Sequence, residues 1–260
     1  MYETVLFDRD GGVATITLNR PEALNSFNRK LHEEFYVALD RAAEDEGVRC
    51  VVLRGSGRAF STGADLRSVT EVEESPDLGS YLRETYSRLV ARMAAIRKPV
   101  VGALHGPVYG AGLGIALACD LRVAAESARF SMAFVRIGLM PDAGSSFFLP
   151  RLVGLGRAME LAMLGEELDA GEARRIGLVN RVVPDGELEA TVQELAARLA
   201  GGPTVALGWI KESLYRSFES DLSTALETEA AGQTVCGRTE DFREGVAAFL
   251  EKRRPRYAGR

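Results

Sequence analysis

The chain has 260 residues, 46% of them hydrophobic and 27% charged, and a formal net charge of −5. These proportions belong to a water-soluble globular protein long enough for one large core, and net acidity argues against a general nucleic-acid binder, although Lys252-Arg253-Arg254-Pro255-Arg256 is locally basic. Cys50, Cys119 and Cys236 lie far apart among apolar neighbours, which predicts reduced core thiols rather than a disulfide framework or a metal site.

Residues 4–7 and 13–18 alternate in the manner of strands and form an opening hairpin. No basic region followed by an apolar block is present there, so neither a signal peptide nor a membrane span is expected, and the protein is expected to be cytoplasmic. Residues 28–45 place Leu31, Phe35, Ala38, Leu39 and Ala42 on one helical face, with Ser26 or Asn28 as the cap. His32, beside Glu33 and Glu34, is read as solvent-facing. A strand follows at 50–54, and then a glycine-bearing loop, Ala59-Phe60-Ser61-Thr62-Gly63-Ala64-Asp65-Leu66. Residues 69–76, rich in glutamate and poor in large apolar groups, predict a mobile lid or edge.

A helix over 78–96 and a strand over 100–104 lead into a second glycine stretch, Gly106-Pro107-Val108-Tyr109-Gly110-Ala111-Gly112-Leu113-Gly114, which opens another helix before a strand at 121–125. Such β-then-α alternation implies an α/β protein with a parallel sheet and covering helices. His105, at the end of its strand, is expected to make a structural hydrogen bond. From Gly186 the pattern is purely helical, with breaks at 201–203 and 220–221; Trp209 there is a packing or interface residue.

Each glycine stretch leaves the end of a buried strand, where α/β proteins place their sites. Glycines in such loops also serve ordinary tight turns. As a pair, the two loops can aim backbone N–H groups at one oxygen and form an oxyanion hole.

The first loop matches A-F-x-x-G-A-D-[LI], and the second runs through Ala116-Leu117-Ala118-Cys119-Asp120 to match G-x-x-x-G-x-G-x-x-[LI]-A-x-x-[CS]-D. With Asn19-Arg20-Pro21-Glu22-Ala23-Leu24-Asn25, Ile137-Gly138-Leu139-Met140-Pro141-Asp142 and Gly177-Leu178-Val179-Asn180-Arg181-Val182-Val183 in order, nearly the whole chain resembles the crotonase, or enoyl-CoA hydratase/isomerase, family. The resemblance implies a spiral core of ββα turns over residues 1–200 and a helical region over 201–260 that builds trimers, often paired into hexamers. It implies an acyl-CoA thioester substrate, with no separate cofactor because coenzyme A is part of that substrate, and no metal, nucleic-acid or membrane partner. By the same matching, the oxyanion donors are the N–H groups of Ala64 and Ala111, flanked by Gly110 and Gly112. The backbone of Ala23, Leu24 and Asn25 and of Ala64, Asp65 and Leu66 would receive the adenine and pantetheine parts. Phe249 and Lys252 would reach the nucleotide from a neighbouring subunit. Asp65 is expected to brace its loop by side-chain to backbone hydrogen bonds.

Hydratases of this family use two glutamates, and the matching positions here are Gly114 and Phe134. Neither residue does acid or base work, so simple hydration is not expected. One carboxylate falls nearby, Asp142, which after Pro141 and before Ser145-Ser146-Phe147-Phe148-Leu149 also reads as an ordinary helix N-cap. The stretch around it looks most like the ring-1,2-epoxyphenylacetyl-CoA isomerase branch, whose members also interconvert 3-enoyl- and 2-enoyl-CoA and whose catalytic aspartate stands at this position. Isomerisation needs only one carboxylate, since the proton taken from C2 returns at C4. Lodged among Phe134, Leu139, Met140 and Phe148, Asp142 would be desolvated and its pKa raised. Rival readings are another crotonase chemistry, namely a hydrolase, decarboxylase or dehalogenase, and a non-enzymatic RNA-binding relative using the basic tail. The sequence leaves the acyl group open.

Overall fold

The computed structural model describes residues 2–70 and 77–260. The expected opening hairpin is present as β1 (Val5–Asp10) and β2 (Val13–Leu18), paired antiparallel from Val5↔Leu18 to Asp10↔Val13. Helix α1 (Arg29–Glu44) follows, and Asn28 is its cap, accepting from Leu31 N at 2.9 Å. Next come β3 (Cys50–Gly55) and the short α2 (Leu66–Thr70). The lid expected at 69–76 falls, beyond the backbone of α2, outside the described residues.

The helix expected over 78–96 is α3 (Leu78–Leu82) and α4 (Arg88–Ala95) joined by a π-helical stretch, Arg83–Ser87. Such wide turns re-aim side chains and recur at functional sites. Strand β4 (Val100–Leu104) leads through β5 (Pro107–Tyr109) into α5 (Ala111–Leu117), then β6 (Leu121–Ala125) and β7 (Arg129–Ser131). Helices α6 (Ser145–Val153) and α7 (Leu155–Leu164), β8 (Leu168–Asp169), α8 (Ala170–Arg175) and β9 (Arg181–Val183) complete the core. The C-terminal part is helical: α9 (Leu188–Ala200), α10 (Thr204–Ser217), α11 (Leu222–Cys236) and α12 (Glu240–Leu250), broken near the glycines and serine where breaks were expected.

The main sheet has the order β1-β2-β3-β4-β6-β9, parallel from β2 onward, and β5, β7 and β8 make a second, three-stranded sheet. Val13, Cys50, Val52, Val101, Ala103 and Val123 pack beneath α9, while the opposite face carries Ile16, Val51, Leu53 and Val100 against α1 and α4. A parallel sheet so covered buries near-continuous apolar strands. Because β4 hands the chain directly to β5 and α5, the second glycine stretch stands at the strand's carboxyl end, beside the first. Among the described residues no helix is long and apolar enough to cross a membrane.

The three cysteines are free, and burial pushes the Cys50 and Cys119 thiols up to about 12. Trp209 packs on Gly232 of α11 and under the Arg97 guanidinium, 4.7 Å from its ring centre. Its role within the chain is packing.

Candidate active site

The two glycine stretches are stitched to each other. Tyr109 N donates to Ser61 O at 3.0 Å, and Phe27 N donates to Gly63 O at 2.7 Å. Gly63 (φ 91°) lies so close to α5 that a Cβ there would stand 2.9 Å from Ala111 N, and one on Gly112 would stand 2.5 Å from Ser61 O. Only glycine permits this approach. The convergence places Ala64 and Ala111 on adjoining strands of chain, and neither amide donates to an acceptor among the described residues. Two free N–H groups, one of them on the first residue of α5, are what an oxyanion needs.

Around the first loop the remaining polar groups are occupied. Asn25 is fully buried at φ 55°, and its side chain accepts from Arg20 N and donates to Ser56 O and Ala59 O. The N–H groups of Ala23, Leu24 and Asn25 all donate within their own turn, and their carbonyls accept from Ser26 N, Thr62 N and Ser61 Oγ, so with Asn25 buried only the second lone pairs of the Ala23 and Leu24 carbonyls are left for a ligand. Asp65 braces its loop through its carboxylate, which pairs with Arg20 at 2.9 Å, and Arg20 in turn donates to Ser26 O. A guanidinium makes a charge-assisted bond, about twice as strong as one between neutral groups. Leu66 is exposed at the start of α2. His105 makes the expected structural contact, 3.0 Å from Gly57 O.

Asp142 sits in a turn that continues through Ala143 (φ 49°) and Gly144 (φ 76°) into α6. The cap reading fails here. Gly144 is the N-cap residue, no side chain caps the helix, and Ser145 N donates instead to the Asp142 backbone carbonyl at 2.8 Å. Asp142 Oδ1 is buried without a hydrogen-bond partner among the described residues, and burial pushes the carboxyl up from 3.8 to about 6. Desolvation of the charged form, uncompensated by any donor, is the cause. The expected walls are half right: Phe134 and Phe148 are buried, whereas Leu139 and Met140 turn to solvent, Met140 being 72% exposed.

The turn also explains the missing acids. A Cβ on Gly114 would lie 2.7 Å from Ser145 Oγ and 2.8 Å from Ala143 O, so the residues flanking Asp142 occupy the space a glutamate at 114 would need. Phe134, whose ring tip stands 4.0 Å from a Cβ built on Gly110, closes the second position with carbon. The Asp142 turn is therefore held against α5, the helix whose first amide is free.

Phe249 and Lys252, at the end of α12, are exposed; Phe249 shares an apolar groove with Val205, Phe242 and Val246. The structure does not bring them to Asp142 within one chain by any contact. Sequence reading missed the aromatic wall behind the site. His32 is buried, not solvent-facing, with its ring edge-on to Tyr86 at 4.2 Å and 5.0 Å from Phe27. Burial and the nearby Arg29 lower its pKa to about 3, so it is neutral. The signal was present: His32 stands three residues before Phe35 and seven before Leu39, on the buried stripe of α1.

A family model described as enoyl-CoA hydratase/isomerase matches residues 8–260. A 1,2-epoxyphenylacetyl-CoA isomerase of Escherichia coli K12 is 44% identical over all of both chains. A probable enoyl-CoA hydratase of Rhodobacter capsulatus is 43% identical over all of this chain and 99% of its own. The crystal structure of an enoyl-CoA hydratase from Mycobacterium smegmatis superposes with a TM-score of 0.92 at 34% identity, covering 98% of this chain and 99% of that one. The architecture is thus the crotonase-type α/β fold.

Proposed function

The chain belongs to the enoyl-CoA hydratase/isomerase family, and from that premise we propose that it is an acyl-CoA isomerase with Asp142 as its single proton carrier. The observation that carries this reading is the partner-free Oδ1 of Asp142, on a turn packed against α5, while Gly114 and Phe134 stand at the positions matching the two hydratase acids.

In this reading the thioester carbonyl oxygen lies between the N–H groups of Ala64 and Ala111. As Asp142 removes a proton from C2, negative charge moves to that oxygen, where each donor is worth about 3 kcal/mol. The positive end of α5 adds to the same field. The protonated Asp142 then returns its proton at C4, shifting the double bond, or to the oxygen of a ring opened in the same enolate. Desolvation serves this cycle, since a carboxyl near pH 6 both takes and gives a proton readily. Water addition would need a second group to hold and deprotonate water. The second lone pairs of the Ala23 and Leu24 carbonyls would accept from the adenine amine, with buried Asn25 holding the turn that carries them.

We further propose a homotrimer, or a hexamer of two such trimers, in which Phe249 and Lys252 serve a neighbour's nucleotide. Exposed Leu214, Phe218, Leu222, Leu226, Phe249 and Leu250 on α10, α11 and α12 support it. A stable monomer in sedimentation at micromolar concentration would remove that part.

Kinetics on 3-hexenoyl-CoA, the phenylacetyl-CoA epoxide and crotonyl-CoA test the main reading. Isomerisation is expected, with crotonyl-CoA hydrated very slowly. Crotonyl-CoA hydration as fast as the best isomerisation would sink the single-carboxylate assignment.

A further inference from the structure

Buried polar atoms in a folded protein almost always find partners. Among the described residues seven buried side-chain atoms do not, and six of them gather in one zone: both ring nitrogens of His32, the hydroxyls of Tyr81 and Tyr86, Asp142 Oδ1 and Ser145 Oγ; the seventh is Trp209 Nε1. Such a concentration costs stability, and chance scatter would spread it over the core.

The zone lies between the two halves of the site. On one side Phe27, 5.0 Å from the His32 ring and 5.6 Å from that of Tyr86, is bridged to Ala64 and accepts from Asp65 N at 3.0 Å. On the other side Val90, one helical turn after Tyr86, stands against Gly144, where an added Cβ would come within 2.8 Å of it. Tyr81 and Tyr86 are 6.5 Å apart and both face the His32 ring edge-on. The π-helical turn is what brings Tyr86 to this wall.

We infer that His32, Tyr81 and Tyr86 are specificity-determining residues that read a neutral oxygen on the acyl group, selecting oxygen-bearing acyl thioesters over their hydrocarbon counterparts. The inference rests on the acyl-CoA reading of the site above. Burial holds both phenols in the protonated form, which donates, and the neutral imidazole supplies one donor and one acceptor. The charge of Asp142 reaches both phenols and, together with burial, disfavours a second carboxylate here even with the Arg29 guanidinium 6.0 Å over the Tyr81 ring, so the oxygen is a hydroxyl, ether or epoxide. The aromatic faces and edges around it accommodate the carbon frame that carries the oxygen.

The test is equilibrium binding, which needs no turnover, using two inert thioesters that differ by one hydroxyl: phenylacetyl-CoA and (2-hydroxyphenyl)acetyl-CoA. Calorimetry on the wild-type protein is expected to show about tenfold tighter binding of the hydroxylated ligand, the size of one good buried hydrogen bond. In Tyr81→Phe and Tyr86→Phe that preference is expected to shrink to about twofold or less. Each substitution keeps the ring and removes an unpaired hydroxyl, so folding should survive; should Tyr86→Phe fail to fold, the half-buried Tyr81 decides. Equal binding of the two ligands by the wild-type protein, or a preference unchanged in both variants, overturns the inference. The base assignment fails separately, through the kinetics of Asp142→Asn on 3-hexenoyl-CoA, and failure to bind either thioester would overturn both.

Discussion

The two ends of α5 place polar groups in the same core and treat them oppositely. Beyond its C-terminus, Asp120 accepts from Val100 N at 2.8 Å and from Lys211 Nζ at 3.0 Å, and Lys211 also donates to Met93 O at 2.8 Å. Arg122 beside them donates to Leu178 O at 2.8 Å and to Leu117 O and Cys119 O. That knot is saturated, and it ties the C-terminal helix α10 to the sheet. At the N-terminus the Ala111 amide is free, Asp142 Oδ1 and Ser145 Oγ have no partner, and Phe134 supplies only carbon. Satisfied polar groups hold a structure together; unsatisfied ones keep their reactivity, at a cost in stability.

The largest effect expected from breaking this contrast is at Asp142. Asp142→Asn should lower isomerase turnover by ~10²–10⁴-fold while raising the melting temperature at pH 7. The sign follows from the shift: folding lifts the carboxyl from 3.8 to about 6, so the stability tied to its neutral form is complete at low pH and is lost as pH rises through about 6. The amide stays neutral and escapes that loss, on the order of 1–3 kcal/mol. Kinetics and a thermal melt on the same preparation check both halves; a variant retaining half the wild-type rate would mean that Asp142 is not the base.

At the saturated end the outcome should invert. Lys211→Met leaves Asp120 buried without its cation and should destabilise by about 3–5 kcal/mol, read as a fall in denaturant midpoint, whereas Lys211→Met combined with Asp120→Asn should recover part of it. Equal stability of the single variant and wild type would show that the knot holds nothing.

Gly114→Ala probes the border between the regions. Its methyl would meet Ala143 O and Ser145 Oγ, displacing the Asp142 turn at a cost of about 1–3 kcal/mol, with a fall in turnover larger than the fall in substrate affinity. Unchanged kinetics would show that the turn yields freely.

The smallest effect is the pH profile. With the base ionising near 6, kcat/KM for 3-hexenoyl-CoA should be flat above neutrality and fall about tenfold per pH unit below that value. A profile flat to pH 4.5 would contradict a raised carboxyl.

Much of this was legible along the chain, because it depends on neighbours in sequence. The stripe of α1, the Asn28 cap, the helix breaks after Ala200 and Ser217, and the two glycine stretches follow from periodicity and turn chemistry. The resemblance to a family located Asp142 and the two free amides, where local pattern offered an N-cap instead. His32 went astray because flanking glutamates were weighed above its place on the stripe. The three-stranded second sheet was not legible: β5 and β7 are three residues long and β8 two, too short for any period.

Composition and spacing, being local properties, set which backbone could turn and which helix faces were apolar, and the family resemblance singled out Asp142 with Gly114 and Phe134 at the two matching acid positions. Tertiary structure alone decided which polar groups would go unpaired. Asp142 and Asp120 are both aspartates next to helical segments, and nothing within a few residues of either says that one meets Lys211, 91 positions away, while Oδ1 of the other is buried with no partner among the described residues. Hydrogen-bond satisfaction and desolvation are set by atoms that arrive from elsewhere in the chain, and here those two quantities separate the unpartnered carboxylate of Asp142 from the braced one of Asp120.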